Sequence, residues 1–554
     1  MRNSISRLAS VPTVNKPRSK IRMSPFRHLT TMNSGYLVPI FYQNCIPGGN
    51  YRCSMRQLIR MSTPIHPVMD DCYIDTYFFL VPYRLVWENW EEFMGENKKS
   101  YWTKDQTQYT IPQLNTGLKS FEVGSIADHM GHPTGVSGLS VSALPFRGVA
   151  RVWNEWFRDE NTMSPVEIYY GSASKGYANL EDGYFNGGAY GGALFPVSKF
   201  KDYFTSALPS PQRGPDVMLP LYDGLAPVVT QDDPHISSSQ TPMTFVTTPQ
   251  LFFGTGYNDL SVYSSGGIRG SAVANTEATP TGSSDIPVAP SNLYANLSDS
   301  VTATVNQLRI AVALQTFYEA AARYGSRYTE SLRAHFGVVS PDARLQRTEY
   351  LGGKRTKINM QQVLQTSSTD DISPQGNTAA FSLTADIVEA FDVSVVEHAM
   401  ILGFACIRTA QTYQYGIERS WSYKDPTDFY FPEFANIGEQ PVYNKEIYAQ
   451  GNAQDDEVFG YQEAWAEYRQ QHSKISGMFR SSYAQSLDSW HYAEAYDSLP
   501  TLSESFIKQS PDVIDRSLAV QSDTADQFLC DFRFDQTMVA PIPMYSIPGF
   551  GMNF

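Results

Sequence analysis

Seven cations crowd the first 27 residues: Arg2, Arg7, Lys16, Arg18, Lys20, Arg22 and Arg27, interleaved with Pro12, Pro17 and Pro25. The chemistry open to such a group is ionic contact with phosphate, which needs only local positive charge. The first acidic residue is Asp70, and the 69 residues before it hold ten Lys/Arg. The whole chain carries −14, so residues 70–554 carry −24. A body this acidic repels nucleic acid over its general surface, and a basic arm restores attraction at one place. The prolines and the missing apolar period oppose a stable helix in this arm, residues 1–30, whereas residues 31–90 read as extended. An acid-free, Arg/Ser-rich start also fits a solvated tail or a targeting peptide.

A second basic knot comprises Arg344, Arg347, Lys354, Arg355 and Lys357 around Gly352-Gly353, with Glu349 as its counter-charge. It reads either as a solvated turn or as an inward-facing phosphate contact, with Lys354, Arg355 and Lys357 as the contacts. Catalytic constellations do not emerge. No nucleophile elbow, zincin, phosphate-loop or dinucleotide-binding pattern is present. The glycine cluster at 187–192 reads as a flexible loop. Asp455, Asp456 and Glu457 are adjacent and do not converge on one ion, so they read as a solvated loop. His398 beside Glu397 lacks a nucleophile in register and reads as structural. The expectation is therefore no catalytic residue, no metal site and no cofactor.

The elements that must carry these charges are mostly strands. Aromatics make up 13% and charged residues 18% of the chain, which suits a β-rich fold with much surface covered by other chains. No run approaches a membrane span, and residues 1–22 lack the apolar stretch of a signal peptide. The five cysteines, Cys45, Cys53, Cys72, Cys406 and Cys530, are odd in number and scattered, which fits reduced thiols.

Residues 72–82 (CYIDTYFFLVP) predict a strand covered on both faces, and 400–407 predict another. A short helix is expected from Trp87 through Trp90 to Phe93, stopped at Gly95. Over 144–161, Val149, Val152, Trp153, Trp156 and Phe157 share one helical face, with Arg147, Arg151, Glu155, Arg158 and Asp159 largely elsewhere. Both tryptophans are expected in the core. Residues 302–336 predict a helix broken at Gly325, and Gln462–Gln470 a further helical patch. Residues 165–200 form a Gly/Tyr-rich loop. Residues 225–300, rich in Ser, Thr and Gly, read as an ordered insertion with short strands and a small core that includes Phe252, Phe253 and Leu260. The closing prolines, 541, 543 and 548, demand an extended tail. Many short strands, long insertions and few helices predict a mainly β sandwich or jelly roll.

Several stretches share one likeness. WNEWFRDEN at 153–161, DYFTSALPSPQRG at 202–214 and RYTESLRAHFGVVSPDARLQRTEYLGG at 327–353 resemble the major capsid proteins of gokushoviruses, small single-stranded DNA phages of the microvirus group. FFLVPYRLVWENWEEFMGEN at 78–97, TYQYGIERSW at 412–421, DFYFPEFANIGEQ at 428–440, VFGYQEAWAEYR at 458–469 and PIPMYSIPGF near the end share it. The resemblance runs from about residue 20 to the end, weakest over roughly 165–200 and 225–300.

The resemblance implies an eight-stranded viral jelly roll with large loop insertions, its core in two parts, 31–224 and 301–554. It implies many copies closing into a small icosahedral T=1 shell around single-stranded DNA. The 225–300 insertion would form a threefold protrusion that contacts the host, with Phe252, Phe253 and Leu260 meeting between copies. Further implied partners are minor DNA-binding and pilot proteins, an internal scaffolding protein during assembly, and a host surface receptor, with assembly in the bacterial cytoplasm. The competing readings are a carbohydrate-active β-sandwich enzyme or lectin, since the separation of paired acids is a spatial property, and a plain nucleic-acid-binding protein.

Overall fold

The computed structural model describes residues 18–96, 108–172, 191–214, 305–325, 327–366 and 378–545, a few single positions, and the backbone of short strands between 228 and 295. The chain divides into two compact units, residues 1–213 with 319–554, and residues Gly214–Tyr318.

The larger unit is built on nine strands: β1 (Ser19–Arg22), β2 (Phe26–Met32), β3 (Tyr36–Cys45), β4 (Gly49–Met61), β5 (Cys72–Pro82), β6 (Glu349–Lys357), β7 (Thr384–Val395), β8 (Ala399–Thr409) and β9 (Phe528–Ala540). In the first sheet, β9 lies between β4 and an edge formed by β1 and β2 in succession, and β7 closes the other side of β4. The second sheet runs β6-β5-β8-β3, with Phe195–Pro196 added beyond β3. Every named pair is antiparallel. From β2 onward the chain changes sheet at each step except β5 to β6. Eight strands wound in this order are a jelly roll, as expected from the sequence.

Strict alternation builds the sandwich. In β4, Tyr51, Cys53, Met55, Ile59 and Met61 are buried while Arg52, Arg56, Leu58 and Arg60 are exposed. The inward set meets Phe78, Ile401, Phe528, Phe532 and Phe534 in one core between the sheets. The second sheet is apolar on both faces, so β5 and β8 read as continuous hydrophobic runs. Its other face, with Phe79, Leu402 and Phe404, packs on a second core built by the insertions, including Trp87, Phe146, Trp153 and Phe204. All five cysteines are free and buried between or beside the sheets, and burial pushes the Cys45, Cys53 and Cys406 thiols up to about 12.

The amphipathic segment at 144 forms helix α1 (Leu144–Val152) and continues as a π-helical turn, Trp153–Phe157. Trp153 is fully buried, stacks on Phe195 and donates its indole N–H to the Pro196 carbonyl at 2.8 Å. Trp156 differs from expectation. It is half-buried: it packs against the core at Phe79, 5.4 Å between ring centroids, and Arg347 covers its ring at 4.0 Å. Arg147 departs further: it is fully buried and donates to the Val86 and Gly171 carbonyls, which no amphipathic pattern anticipates.

Helices α2 (Val305–Tyr324) and α3 (Tyr328–Phe336) separate at Gly325, φ +97°, as predicted. The helical patch at 462–470 is not formed. Val458–Glu463 is a strand paired with Glu439–Tyr443, Trp465 sits at φ +66°, and one 3₁₀ turn follows. Tertiary pairing overrides a helical spacing this short. The expected helix around Trp90 covers only Trp90–Phe93, preceded by a 3₁₀ turn at Tyr83–Leu85.

The smaller unit contains antiparallel pairs nested along the chain: 228–230 with 293–295, 245–247 with 288–290, and 259–262 with 268–271. Leu260 lies in the innermost pair. Phe252 and Phe253, residues 173–190 of the 165–200 loop and the end of the tail, 546–554, fall outside the described residues.

Candidate nucleic-acid interface

The alternation that fills the sandwich with apolar side chains turns the intervening residues of the first sheet outward. Register then collects cations from strands far apart in sequence. Arg27 on β2 pairs with Arg533 on β9, and Arg533 pairs with Arg56 on β4, giving three arginines side by side across the sheet. Arg22 on β1 pairs with Thr537, which pairs with Arg52, itself opposite Asp392 on β7. Lys20 and Arg60 extend the surface at either end. Directly paired side chains lie about 5 Å apart, so these charges form one continuous field.

This face presents seven cations, Lys20, Arg22, Arg27, Arg52, Arg56, Arg60 and Arg533, against four carboxylates, Glu389, Asp392, Asp531 and Asp535. It is thus net positive on a chain that carries −14. The cations are unequally available. Arg27 is held bidentate by Asp531, with its Nε at 2.7 Å, and this guanidinium lowers the Asp531 carboxyl. Arg52 and Arg56 make only loose contacts, 3.9 Å to Glu389 and 3.8 Å to Asp535. Lys20, Arg22, Arg60 and Arg533 are exposed and make no ion pair among the described residues. A trough of about 900 Å³ runs along one end of this face, lined in part by Lys20, Arg22, Arg52 and Asp535.

Of the residues singled out in the sequence, Lys20, Arg22 and Arg27 meet on this face. Arg18 precedes β1 and is exposed, while Arg2, Arg7 and Lys16 lie outside the described residues. The second knot is elsewhere. Arg344 and Arg347 lie in the turn before edge strand β6, which carries Lys354, Arg355 and Lys357, and each of these three has a carboxylate partner within the chain. Lys354 pairs with Asp386 at 2.7 Å and Lys357 with Asp71. Arg355 donates to Asp75 at 2.7 and 3.1 Å, and Arg408 grips the same carboxylate from the other side. Burial opposes ionisation of Asp75, yet the two guanidinium groups hold its carboxyl below the ordinary range. Gly352 and Gly353 serve the sheet: a Cβ on Gly353 would lie 2.0 Å from the Thr76 carbonyl oxygen.

Arg52, Arg56, Arg60 and Arg533 were missed as site residues. The signal was present as arginines four apart in a two-residue alternation, but only the pairing of β4 with β9 makes them one surface. Elsewhere, Asp455 accepts the Gln450 and Gly451 backbone N–H groups and Asp456 pairs with Lys445, as a solvated loop would. The His398 carbonyl accepts from the Tyr83 backbone N–H, and Glu397 pairs with Arg84. Among the described residues no group of three His, Cys, Asp or Glu side chains could hold a metal ion, and no helix is long and apolar enough to cross a membrane.

Comparison with known proteins agrees with this architecture. Residues 9–550 match the family described as capsid protein (F protein). The capsid protein VP1 of Chlamydia phage 1 is 38% identical over 98% of this chain and 97% of its own length. The VP1 proteins of Bdellovibrio phage phiMH2K and Spiroplasma virus 4 are each 40% identical, over 98% and 96% of this chain and 97% and 95% of their own lengths. A jelly roll with these insertions, matched to phage capsid proteins along nearly its whole length, belongs to the phage capsid protein (F protein) family and is of the gokushovirus major capsid type.

Proposed function

We propose that this major capsid protein closes into an icosahedral shell with the outer face of its first sheet turned toward a single-stranded DNA genome. The observation that carries the orientation is the net positive charge of that one face on a strongly acidic chain. Packed phosphates demand neutralising charge nearby, and Arg and Lys without tight ion pairs supply it. Arg18 directly precedes β1, and Arg2, Arg7 and Lys16 add positive charge to the same arm of the sequence. Arg27, clamped by Asp531, and the internally paired Lys354, Arg355 and Lys357 contribute little attraction.

The insertion at 225–300 is read as the protrusion that meets the host receptor, with Phe252, Phe253 and Leu260 between copies. Its support is its separateness as a unit and its Ser/Thr/Gly-rich sequence, suited to a surface free of shell packing. The shell would also engage minor DNA-binding and pilot proteins and an internal scaffolding protein, and assemble in the bacterial cytoplasm.

Electron cryomicroscopy of DNA-filled particles tests the orientation. The expected result is genome density against Arg56 and Arg533. Particles with that face on the outer surface would overturn it. For the insertion, replacing 231–299 by a short Gly/Ser linker should spare assembly and abolish attachment to host cells. Attachment at the wild-type rate would refute the receptor role.

A further inference from the structure

Two exposed apolar surfaces in the larger unit carry unpaired charges of opposite sign. The first is the segment 419–437, which contains three 3₁₀ turns, Arg419–Ser422, Pro426–Asp428 and Pro432–Phe434. It displays Trp421, 81% exposed, with Phe429, Tyr430, Phe431 and Ile437 about half exposed or more. It is held firmly from below. Trp465, nearly buried, donates its indole N–H to the Phe434 carbonyl at 3.0 Å, and Arg419 reaches the Pro441 carbonyl at 2.6 Å. Edge-to-face contacts at 5.0 Å (Tyr423–Phe429) and 5.6 Å (Tyr430–Trp465) fix the rings. The segment's charges outside its anchor Arg419 are Asp425, Asp428 and Glu433 against Lys424, a net −2. Glu433 is exposed and has no ion pair among the described residues.

The second surface is α3 and the turn after it. Tyr328, Phe336, Val338 and Val339 are exposed, the last at 77%. The helix buries no residue completely, yet it is pinned at its start by Arg327, which donates to the Arg158 carbonyl at 2.9 Å and pairs with Glu160 at 3.0 Å. The acids of this stretch, Glu330 and Asp342, pair with Arg327 and Arg347 outside it, while Arg333 and Arg344 stand exposed beside the apolar side chains with no ion pair among the described residues.

Rigid, anchored apolar surfaces of this kind cost free energy in water and mark sites of contact. We infer that they are the two halves of one contact between copies of this chain, the acidic aromatic surface at 419–437 of one subunit seating against the apolar surface at 328–344 of the next, with its unpaired Arg333 and Arg344. Each supplies large apolar side chains for the centre and one sign of charge for the rim, which is how specific interfaces are built. A head-to-tail contact between two different surfaces of identical copies is heterologous, and within a closed shell it forms rings around a symmetry axis. The assignment rests on the shell-forming reading, which alone requires copies to meet.

Charge reversal tests it in assembly reactions of the full chain followed by light scattering and electron microscopy. Glu433→Arg, and separately Arg333→Glu with Arg344→Glu, should each lower the assembly rate by about tenfold or more, since like charges now face across the contact. Melting temperatures should stay near wild type, because all three positions are exposed. Combining Glu433→Arg with Arg333→Glu, or with Arg344→Glu, should recover assembly in at least one case. Normal assembly of both reversed variants would overturn the contact while leaving the shell intact. Loss in each with recovery in neither combination would overturn the pairing. Failure of the wild-type chain to form particles would instead overturn the shell reading.

Discussion

Replacing Arg56, Arg60 and Arg533 by Gln should halve the salt sensitivity of DNA binding. The outer face of the first sheet offers six cations that are unpaired or loosely paired: Lys20, Arg22, Arg52, Arg56, Arg60 and Arg533. Arg27 is excluded because its guanidinium is bidentate on Asp531. With roughly −0.7 in log–log slope per phosphate for a single strand, six contacts give a slope of about −4. Three give about −2. Raising salt tenfold then weakens the wild type by about ten-thousandfold and the triple variant by about a hundredfold. The assay is fluorescence anisotropy of a labelled oligothymidine with dissociated subunits over a salt series. All three side chains point to solvent, so folding should be unaffected, checked by the melting temperature. Equal slopes for the two proteins would refute the placement of DNA on this face.

Asp75→Asn should destabilise the subunit by about 3–5 kcal/mol, because it removes a buried carboxylate and leaves the largely covered Arg408 without its charge partner. Asp75 is depressed in the folded state, so its stabilising contribution is full above the ordinary carboxylate pKa of about 3.9 and fades as pH falls through the folded value. Melting curves between pH 7 and 2 should show less acid dependence in the Asn variant. Trp153→Ala should cost about 3–5 kcal/mol by cavity formation, and the half-buried Trp156→Ala about half as much, read from denaturant unfolding. Gly353→Ala should lower the melting temperature sharply, because the new methyl group meets the Thr76 carbonyl; an unchanged value would show that β6 shifts freely. Removing residues 1–17 should reduce DNA retained in particles without changing subunit stability, whereas a cut after residue 22 also strips β1 from β9 and should lower the melting temperature.

The sequence by itself determined the parts whose signals are local or whose motifs are long. The runs at 72–82 and 400–407 could only be strands buried on two faces, and the break at Gly325 follows from helical period and glycine. The ordered motifs from 78 to the end carried the family. The basic start and acidic body carried the expectation of a phosphate-facing surface. Tertiary structure decided which charges are usable. Cations at 354, 355 and 357 look free in sequence because their partners, Asp386, Asp75 and Asp71, are brought to them only by strand pairing. Conversely, Arg56 and Arg533 are separated by nearly the whole chain and become neighbours only because β9 returns to lie beside β4. Arg147 shows the same limit, since its buried guanidinium donates from both terminal nitrogens to carbonyls of two other segments. Local physics sets the elements, while the register between distant strands sets where charge is cancelled and where it remains.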